Sequence, residues 1–425
     1  MSTDTIRDRR ATLARRTFLG AVAGVGALGM GTGGAAAERF ERVAILTRNT
    51  GDPDEDTFYG LRSALDGNRA FVGAPGGVVD ERITGFVDLG IRRSGTWTQQ
   101  PLIPSPNDSI DLFGYDLDAE DRYLVVSAPF AKVGDVEHAG EVYVYRRSAG
   151  QWELRHRLHA PTPRENASFG QAVALSFPRI VVTESPLWLR DPVRDDVRDN
   201  PSGAYVFEFG NGEWSFLTEL EPDDGTPDDL FGHAVDIEQQ RVVVGAPRAE
   251  NDDHPVGAAF VFRGGKRGWR QTGRLVGADD APGVGAAVAT DRNIVLVGSD
   301  QFATGRSSSD VPGSVSVYER RAVPQRRWIV QERLVGPSGE PGDRFGAAID
   351  MLNDHTVIGA PGVGEDGGEA YPYIRRRGRW VRRATLAGTS PTEDKQFGRS
   401  VAVDPRFAIV GAPFFPGGSA FIFSV

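Results

Sequence analysis

The sequence predicts an all-β protein built from seven copies of one four-stranded antiparallel unit. Three observations predict this fold class: a 17-residue frame that recurs along the chain, a tryptophan that recurs in one register, and chain ends that complete each other. Self-similarity at a long period is the sequence signature of stacked supersecondary units.

The recurring frame opens with Phe-Gly and closes with Gly-Ala-Pro. Five copies have the same length, one is a residue longer and one is degraded, and their starts lie 52 to 62 residues apart. The copies span residues 59–75, 113–129, 169–186, 231–247, 284–300, 345–361 and 397–413.

Each copy and the sequence after it predict consecutive strands. The segment after Phe-Gly alternates, as at 172–175, and predicts a first strand, whereas the nearly continuous apolar run at 241–245 predicts a buried second strand. Proline ends this strand because it donates no ladder hydrogen bond. A glycine-headed alternating segment, such as 140–145, predicts the third strand.

A fourth strand is marked by a tryptophan with an aliphatic residue six positions later. An even spacing puts both residues on the same face of a regular strand. Because aromatic area dominates cores, the repeated tryptophan predicts packing between units rather than a ligand platform. The pairs are Trp97/Ile103, Trp152/Leu158, Trp214/Leu220, Trp269/Leu275, Trp328/Leu334 and Trp380/Leu386.

The two chain ends supply the parts of one unit. The last copy stops after its third strand, at 421–425, and residues 40–46 carry the fourth-strand pattern before the first copy begins. We therefore expect the N-terminal strand to complete blade 7, which limits exposed strand edges. Seven units closed in this way form a seven-bladed β-propeller of four-stranded antiparallel blades, with the last blade closed by the N-terminal strand.

The motifs Phe-Gly, Gly-Ala-Pro and Gly-x-x-Tyr/Phe-Val-Tyr/Phe, in this order, resemble the FG-GAP repeat of the integrin α-subunit propeller. The resemblance covers about the whole of residues 38–425. It implies a seven-bladed propeller that is commonly an extracellular adhesion or ligand-binding platform. It implies no particular activity, because one fold hosts many functions.

Composition excludes several function classes. The formal net charge is −10, whereas nucleic-acid binding leaves a basic footprint, so no nucleic-acid partner is expected. The chain has no cysteine, which excludes disulfides and thiolate zinc sites.

Residues 1–37 have the pattern of an export signal. A basic start that includes Arg15 and Arg16 precedes a short apolar segment at 20–29 and three alanines at 35–37. The paired arginines followed by Phe-Leu resemble a twin-arginine-type signal. We expect cleavage near Ala37, an extracellular or cell-surface location, and no transmembrane segment in the mature chain, residues 38–425.

One stretch approaches a calcium loop. Many integrin-like repeats place an Asp-x-Asp-x-Asp-Gly-type loop between the first two strands, with several oxygens in reach of one ion. The nearest match here is Asp116-Leu-Asp118-Ala-Glu120-Asp121, which lacks the glycine. Asp116, Asp118 and Asp121 are therefore the candidate Ca²⁺ ligands, but a polar turn is the preferred interpretation and no cofactor is expected.

Topology sorts the loops onto two faces of the disc. The second-to-third and fourth-to-next-first connections of the blades share one face, and they are the longer and more acidic set, whereas the other connections carry pairs such as Arg146 and Arg147. These acidic loops are either solvated or bind a basic or cation-bridged partner. The candidate ligand-binding carboxylates are Asp195, Asp196, Asp252 and Asp253.

Two loop features remain open. Trp188 is the one tryptophan out of register and lies in the longest loop, where it is either a contact residue or a plug that packs the loop down. The Asn-x-Ser sequons at Asn107 and Asn166 are candidate glycosylation sites in an exported protein.

No catalytic motif stands out. The six histidines are scattered over different blades, without a His-x-x-x-His pair, and there is no Gly-x-Ser-x-Gly elbow. The favoured function is an exported, non-catalytic and monomeric propeller that binds a protein or glycan through its acidic-face loops. The alternative is a secreted carbohydrate-active enzyme, a hydrolase or lyase that uses carboxylates near the central channel.

Overall fold

The computed structural model describes residues 40–47, 57–79, 82–185, 202–226, 229–251, 254–277, 282–300, 312–321, 327–389, 395–414 and 418–425. These residues form seven four-stranded antiparallel blades arranged as a β-propeller, which confirms the predicted fold class. Their one α-helix is a single turn, Val363–Asp366. Residues Arg39–Val425 form one compact unit.

Every blade repeats the same strand order. The first strands are Ser63–Asp66, Leu117–Glu120, Val173–Ser176, Ala234–Glu238, Val284–Asp291, Ala348–Leu352 and Ser400–Val403. The second strands are Arg69–Ala74, Tyr123–Ala128, Arg179–Glu184, Arg241–Ala246, Ile294–Ser299, His355–Ala360 and Phe407–Ala412. The third strands are Phe86–Arg93, Glu141–Ser148, Gly203–Gly210, Ala258–Gly265, Ser314–Arg321, Glu369–Arg376 and Ser419–Ser424.

The fourth strands form the outer edge of each blade. They are Thr96–Gln99 with its continuation Ile103–Pro104, Gln151–Leu158, Glu213–Leu220, Gly268–Leu275, Arg327–Val335, Arg379–Arg382 and Arg42–Leu46. Two small hairpins extend the second-to-third connections of blades 1 and 4. They pair Val78–Val79 with Arg82–Ile83 and Glu250–Asn251 with His254–Pro255.

The first strands surround the propeller axis. Each of them lies against the first strand of the next blade, and that of blade 7 lies against that of blade 1. Each first strand starts after a fourth-to-first connection, so its first residues lie toward the face that carries these connections and the second-to-third ones. We call this the entry face.

The N-terminal strand closes the ring as expected. Arg42–Leu46 pairs antiparallel with the third strand of blade 7, with Ile45 opposite Phe421 and Leu46 opposite Ala420. Leu46 is 2% exposed and packs in the cluster that also contains Trp97 of blade 1. The strand therefore pairs within blade 7 and packs against blade 1.

The Phe-Gly and Gly-Ala-Pro motifs meet between consecutive blades. Phe397 is fully buried, and Gly398 behind it has φ of +93°, which favours glycine. A Cβ on Gly359 of blade 6 would lie 2.0 Å from the carbonyl oxygen of Gly398 in blade 7. The motif is thus a contact between backbones, as expected for a scaffold element rather than a ligand site.

The tryptophans pack between blades, but the expected shared face of each tryptophan and its aliphatic partner is wrong. Trp152 of blade 2 contacts Phe71 of blade 1, with ring centroids 5.4 Å apart, whereas Leu158 belongs to the cluster shared with blade 3. The pairing shifts between them and leaves Arg155 without a partner opposite. An extra residue in a β-bulge reverses the alternation of faces, so the two side chains point to opposite neighbours.

Candidate functional site

A cavity of about 200 Å³ lies on the propeller axis and is lined by residues from all seven first strands. The lining includes the first and second residues after several Phe-Gly pairs, which lie toward the entry face. It continues to the fourth residue after the pair, deeper along the axis. The cavity therefore has a mouth layer and an inner layer with different side chains.

Arginines dominate the mouth layer. Arg62 Nε lies 3.2 Å from Asp116 Oδ1, and Arg344 Nη2 lies 3.0 Å from Oδ2 of the buried Asp300. The sequence predicts acidic loops on this face, but the arginines just before the first strands add a basic mouth that the loop pattern does not predict.

Arg399 lines the mouth layer of the cavity. Its guanidinium interacts electrostatically with Arg62 of blade 1, Tyr115 of blade 2, Asp300 of blade 5 and Arg344 of blade 6. Burial, and then the nearby positive charges of Arg62 and Arg344, lower the pKa of Arg399 to about 9. The group is still a cation at neutral pH, and its interactions with four other blades place it near the axis.

His233 of blade 4 lies at the same repeat position as Arg399. Burial lowers the pKa of His233 to about 3, and the positive charges of Arg62, Arg399 and Arg248 act in the same direction. The imidazole is therefore neutral at physiological pH and adds no charge to the mouth.

The mouth is not symmetric. At the repeat positions where blades 1, 2, 4 and 7 carry large side chains, blades 5 and 6 carry only alanine. These residues are Ala286 and Ala287 in blade 5 and Ala347 and Ala348 in blade 6, and all four line the cavity. At these positions, blades 5 and 6 therefore line the mouth with small side chains only.

The inner layer carries three carboxylates at one repeat position. Asp118, Asp236 and Asp350 occupy this position in blades 2, 4 and 6, and all three line the cavity. The other four blades have alanine there. These alanines are Ala64, Ala174, Ala289 and Ala402.

Each of these carboxylates accepts two backbone hydrogen bonds. Asp236 Oδ1 accepts the N–H of Ile237 at 2.7 Å, and its Oδ2 accepts the N–H of Thr290 in blade 5 at 2.6 Å. In the same way, the two carboxylate oxygens of Asp350 accept the N–H groups of Met351 and Val403, and those of Asp118 accept the N–H groups of Ala119 and Leu175. The three side chains therefore join blade 2 to blade 3, blade 4 to blade 5, and blade 6 to blade 7.

Burial outweighs these hydrogen bonds in setting the protonation of the inner layer. It raises the pKa of Asp236 to about 7 and that of Asp350 to about 6, and it raises the pKa of Asp118 well above its ordinary value. The carboxylates also raise one another's pKa, because like charges disfavour ionisation.

The calcium-like stretch of blade 2 forms a ladder to blade 3. The carboxylates of Asp116, Asp118 and Glu120 accept the backbone N–H groups of Val173, Leu175 and Phe177 at 2.8, 2.7 and 2.6 Å. A first strand is an edge strand with free N–H groups, and alternate carboxylates on the preceding blade satisfy them. The alternating acidic pattern of this stretch thus has a structural role.

The three candidate calcium ligands do not converge. Asp116 and Asp118 face blade 3, whereas Asp121 lies in the following turn with φ of +58° and pairs with Arg122 at 3.4 Å. Within the described ranges, no group of three or more histidine, aspartate or glutamate side chains is arranged to hold a metal ion.

Both sequon asparagines make side-chain hydrogen bonds. Asn107 Nδ2 donates to Asp111 Oδ2 at 3.0 Å and to the Tyr143 hydroxyl at 2.5 Å. Asn166 Oδ1 lies 3.2 Å from Nδ1 of His138, and Ser168 of the same sequon is 3% exposed. Glycosylation at these sites stays a prediction that must compete with these contacts.

Other predicted residues lie outside the described part of the chain. They are the export segment 1–37 and the loop residues Trp188, Asp195, Asp196, Asp252 and Asp253. Sequence reasoning did not select Arg62, His233 or Arg399. Aligning the copies at Phe-Gly would have shown that the first residue after the pair is basic in two blades, as His233 and Arg399, and alanine in two others, and that Arg62 follows one position later in blade 1.

Comparison with known proteins finds the FG-GAP repeat in two segments and a similarity to integrin alpha subunits. An FG-GAP repeat family model matches residues 214–262 and 328–373. Human integrin alpha-X is 28% identical over 206 residues, which are 41% of this chain and 17% of the integrin. Human integrin alpha-D is 25% identical over 240 residues (49% and 19%), and mouse integrin alpha-M is 24% identical over 237 residues (52% and 18%).

The fold defines the chain as a seven-bladed β-propeller, and two of its segments match the FG-GAP repeat. More particularly, the chain is similar to integrin alpha subunits. The chain spans less than a fifth of the length of the integrins that it matches. In the described part of the chain, no helix has the length and hydrophobicity of a membrane span.

Proposed function

We propose that this chain is an exported, non-catalytic binding platform that holds a protein or glycan on its entry face. One observation carries the proposal: the long second-to-third and fourth-to-first connections and the axial cavity share that face of a closed ring. Loops on a rigid scaffold are the usual carriers of binding, and the FG-GAP resemblance implies this type of platform.

Export is part of the same proposal. The basic start, short apolar segment and alanine site of residues 1–37 support secretion through a twin-arginine-type signal. The absence of cysteine is compatible with either redox compartment, so it does not bear on this point. We propose an extracellular or cell-surface location for the mature propeller.

We expect the acidic loop residues to contribute to ligand binding. Neutralising Asp195, Asp196, Asp252 and Asp253 to asparagine should weaken binding about tenfold and reduce its dependence on salt, since charges at a contact surface steer association. The ligand is first identified by screening residues 38–425 against glycan and secreted-protein arrays, with calcium and with a chelator. We expect the same ligands in both conditions.

The matched control is Arg146→Gln with Arg147→Gln, which neutralises charge on the opposite face. This variant should bind the ligand like the unaltered chain. Unchanged binding by the fourfold aspartate variant, or an equal loss in the arginine control, would contradict the assignment of the ligand to the acidic loops.

A carbohydrate-active enzyme remains the second candidate because three carboxylates with raised pKa line one cavity. Two features favour binding instead. The cavity of about 200 Å³ is smaller than the roughly 300–1,000 Å³ of ordinary ligand sites, and both oxygens of each carboxylate accept backbone hydrogen bonds.

We therefore expect no release of reducing ends or unsaturated uronates when the chain is incubated with a panel of polysaccharides. The Asp236→Asn variant is the control for contaminating activity, since a true carboxylate-dependent enzyme would lose its turnover in this variant. Sugar release by the unaltered chain that disappears in Asp236→Asn would establish the enzyme and overturn the non-catalytic proposal.

A further inference from the structure

Three guanidinium groups act on one another at the mouth of the axial cavity, those of Arg62, Arg344 and Arg399, and two of them form an ion pair with a carboxylate. Arg62 is paired with Asp116, and Arg344 is paired with Asp300. Among the described residues, the guanidinium of Arg399 makes no side-chain hydrogen bond or ion pair. The mouth therefore holds one cation without a direct counter-charge.

The position of Arg399 makes this charge costly in the empty protein. Its neighbours include two further guanidinium groups, those of Arg62 and Arg344, and like charges in a partly buried site oppose each other's ionisation. The neutral imidazole of His233 offers no compensation. A bound anion would offset this repulsion and would accept charge-assisted hydrogen bonds from the guanidinium.

The inner layer restricts what this anion can be. Asp118, Asp236 and Asp350 lie two to three residues further along the first strands, which is about 7–10 Å at the usual rise of a strand. Their partial negative charge opposes an anion that enters deeply or carries two charges. Among Arg62, Arg344 and Arg399, the one guanidinium without an ion pair fits a monoanion.

The shape of the mouth fits a small planar group. The guanidinium is a planar fork of donors that matches the two oxygens of a carboxylate. Ala286 and Ala347 line the same cavity as Arg399 and are the smallest side chains at this position of the repeat, so we assign the route to Arg399 to their side of the mouth. A cavity of about 200 Å³ accommodates such a head group but not a folded chain segment.

We propose that the mouth of the axial cavity binds one carboxylate group, which enters past Ala286 and Ala347 and accepts hydrogen bonds from Arg399. The carboxylate belongs either to a free small acid or to a partner that presents it at the entry face. This inference rests on the proposed function, because it names a chemical group that the entry face recognises.

The test uses acetate as the probe, followed by calorimetry and saturation-transfer NMR on residues 38–425. We expect saturable binding with a Kd of roughly 1–10 mM, which is in the range for a ligand of four heavy atoms. Arg399→Gln should weaken it at least about tenfold, because the fork is lost. Ala347→Leu, which fills the mouth without changing charge, should weaken it to a similar extent.

The control is Arg93→Gln, which removes an exposed arginine at the end of the third strand of blade 1. This variant should bind acetate like the unaltered chain, and melting curves must show that all variants are folded. Acetate binding that is unsaturable, or that is unchanged in either Arg399→Gln or Ala347→Leu, would overturn the proposal. Phosphate binding tighter than acetate would also overturn it, since the charge count predicts a monoanion.

Two further binding measurements distinguish the two sources of the carboxylate. N-acetyldiglycine and its C-terminal amide differ only in the carboxylate, and binding of the acid alone would mean that a partner's carboxylate can enter the mouth. Binding of acetate without N-acetyldiglycine would assign the site to free small acids. Acetate binding that persists when no array ligand is found would contradict the platform function while the carboxylate site stands.

Discussion

Replacing Gly411 with alanine is expected to lower the free energy of unfolding by about 3 kcal/mol, because the new Cβ has no room. It would lie 2.0 Å from the carbonyl oxygen of Gly60 and 2.4 Å from the Ser400 hydroxyl oxygen. The first of these atoms is backbone, so it cannot turn away as the end of a side chain can. Gly411 belongs to blade 7 and Gly60 to blade 1, so the clash lies where the ring closes.

Denaturant titration of the variant beside Gly210→Ala measures this effect. Gly210 lies at the end of the third strand of blade 3, and a Cβ there would meet no atom within 4 Å. Its replacement should change stability by no more than about 0.5 kcal/mol. If both variants unfold at the same denaturant concentration as the unaltered chain, blades 7 and 1 do not approach each other as closely as described.

The fold was predictable because seven copies of one frame repeat the same information. A single alternating stretch such as 172–175 is weak evidence for a strand, but the same pattern before each Gly-Ala-Pro fixes the four-stranded unit. The closure by Arg42–Leu46 was predictable for a related reason, since residues 40–46 carry a fourth-strand pattern that the last copy lacks.

The faces of the fourth strands were not predictable from spacing alone. Six residues separate Trp152 from Leu158, and an even number implies one face only when the strand is regular. The bulge at Arg155 adds a residue that no turn or proline signal announces. A similar shift occurs in the fourth strands of blades 3, 4 and 5, so the same tryptophan pattern conceals the same reversal.

The axial cavity was only partly predictable. The aspartates of its inner layer, such as Asp236, are visible when the copies are aligned, but their bonds to the next blade depend on the stagger between blades. The surroundings of Arg399 are harder still to predict, because its neighbours belong to four other blades and lie more than 50 residues away in sequence. No local pattern encodes such a meeting.

Replacing Asp236 with asparagine is expected to change how stability depends on pH. Burial raises the pKa of Asp236 from 3.8 to about 7 in the folded chain, so folding favours the protonated form. The stability that this proton provides is complete below about pH 4 and is lost as the pH rises through about 7. At pH 8 the ionised group costs on the order of 4 kcal/mol relative to the neutral one.

Asparagine stays neutral and can still accept the N–H of Thr290 or Ile237. The variant therefore does not lose stability through ionisation at this position as the pH rises. Relative to the unaltered chain, Asp236→Asn should therefore gain stability steadily from pH 4 to pH 8, by up to about 4 kcal/mol. Among the described residues, the carboxylates of Asp350 and Asp291 also raise the pKa of Asp236, and Asp236 in turn raises that of Asp118. Adding Asp350→Asn to this variant should make its free energy of unfolding depend still less on pH.

Denaturant unfolding at a series of pH values tests this expectation, with Asp108→Asn as the control. The Asp108 side chain is 96% exposed, and its replacement should leave the shape of the profile unchanged because water solvates it in both states. Parallel profiles for Asp236→Asn and the unaltered chain would mean that the ionised carboxylate is as well stabilised inside the ring as in water. The two backbone N–H groups that donate to the carboxylate would then offset the full cost of its burial, and the inner layer would stay negatively charged at neutral pH.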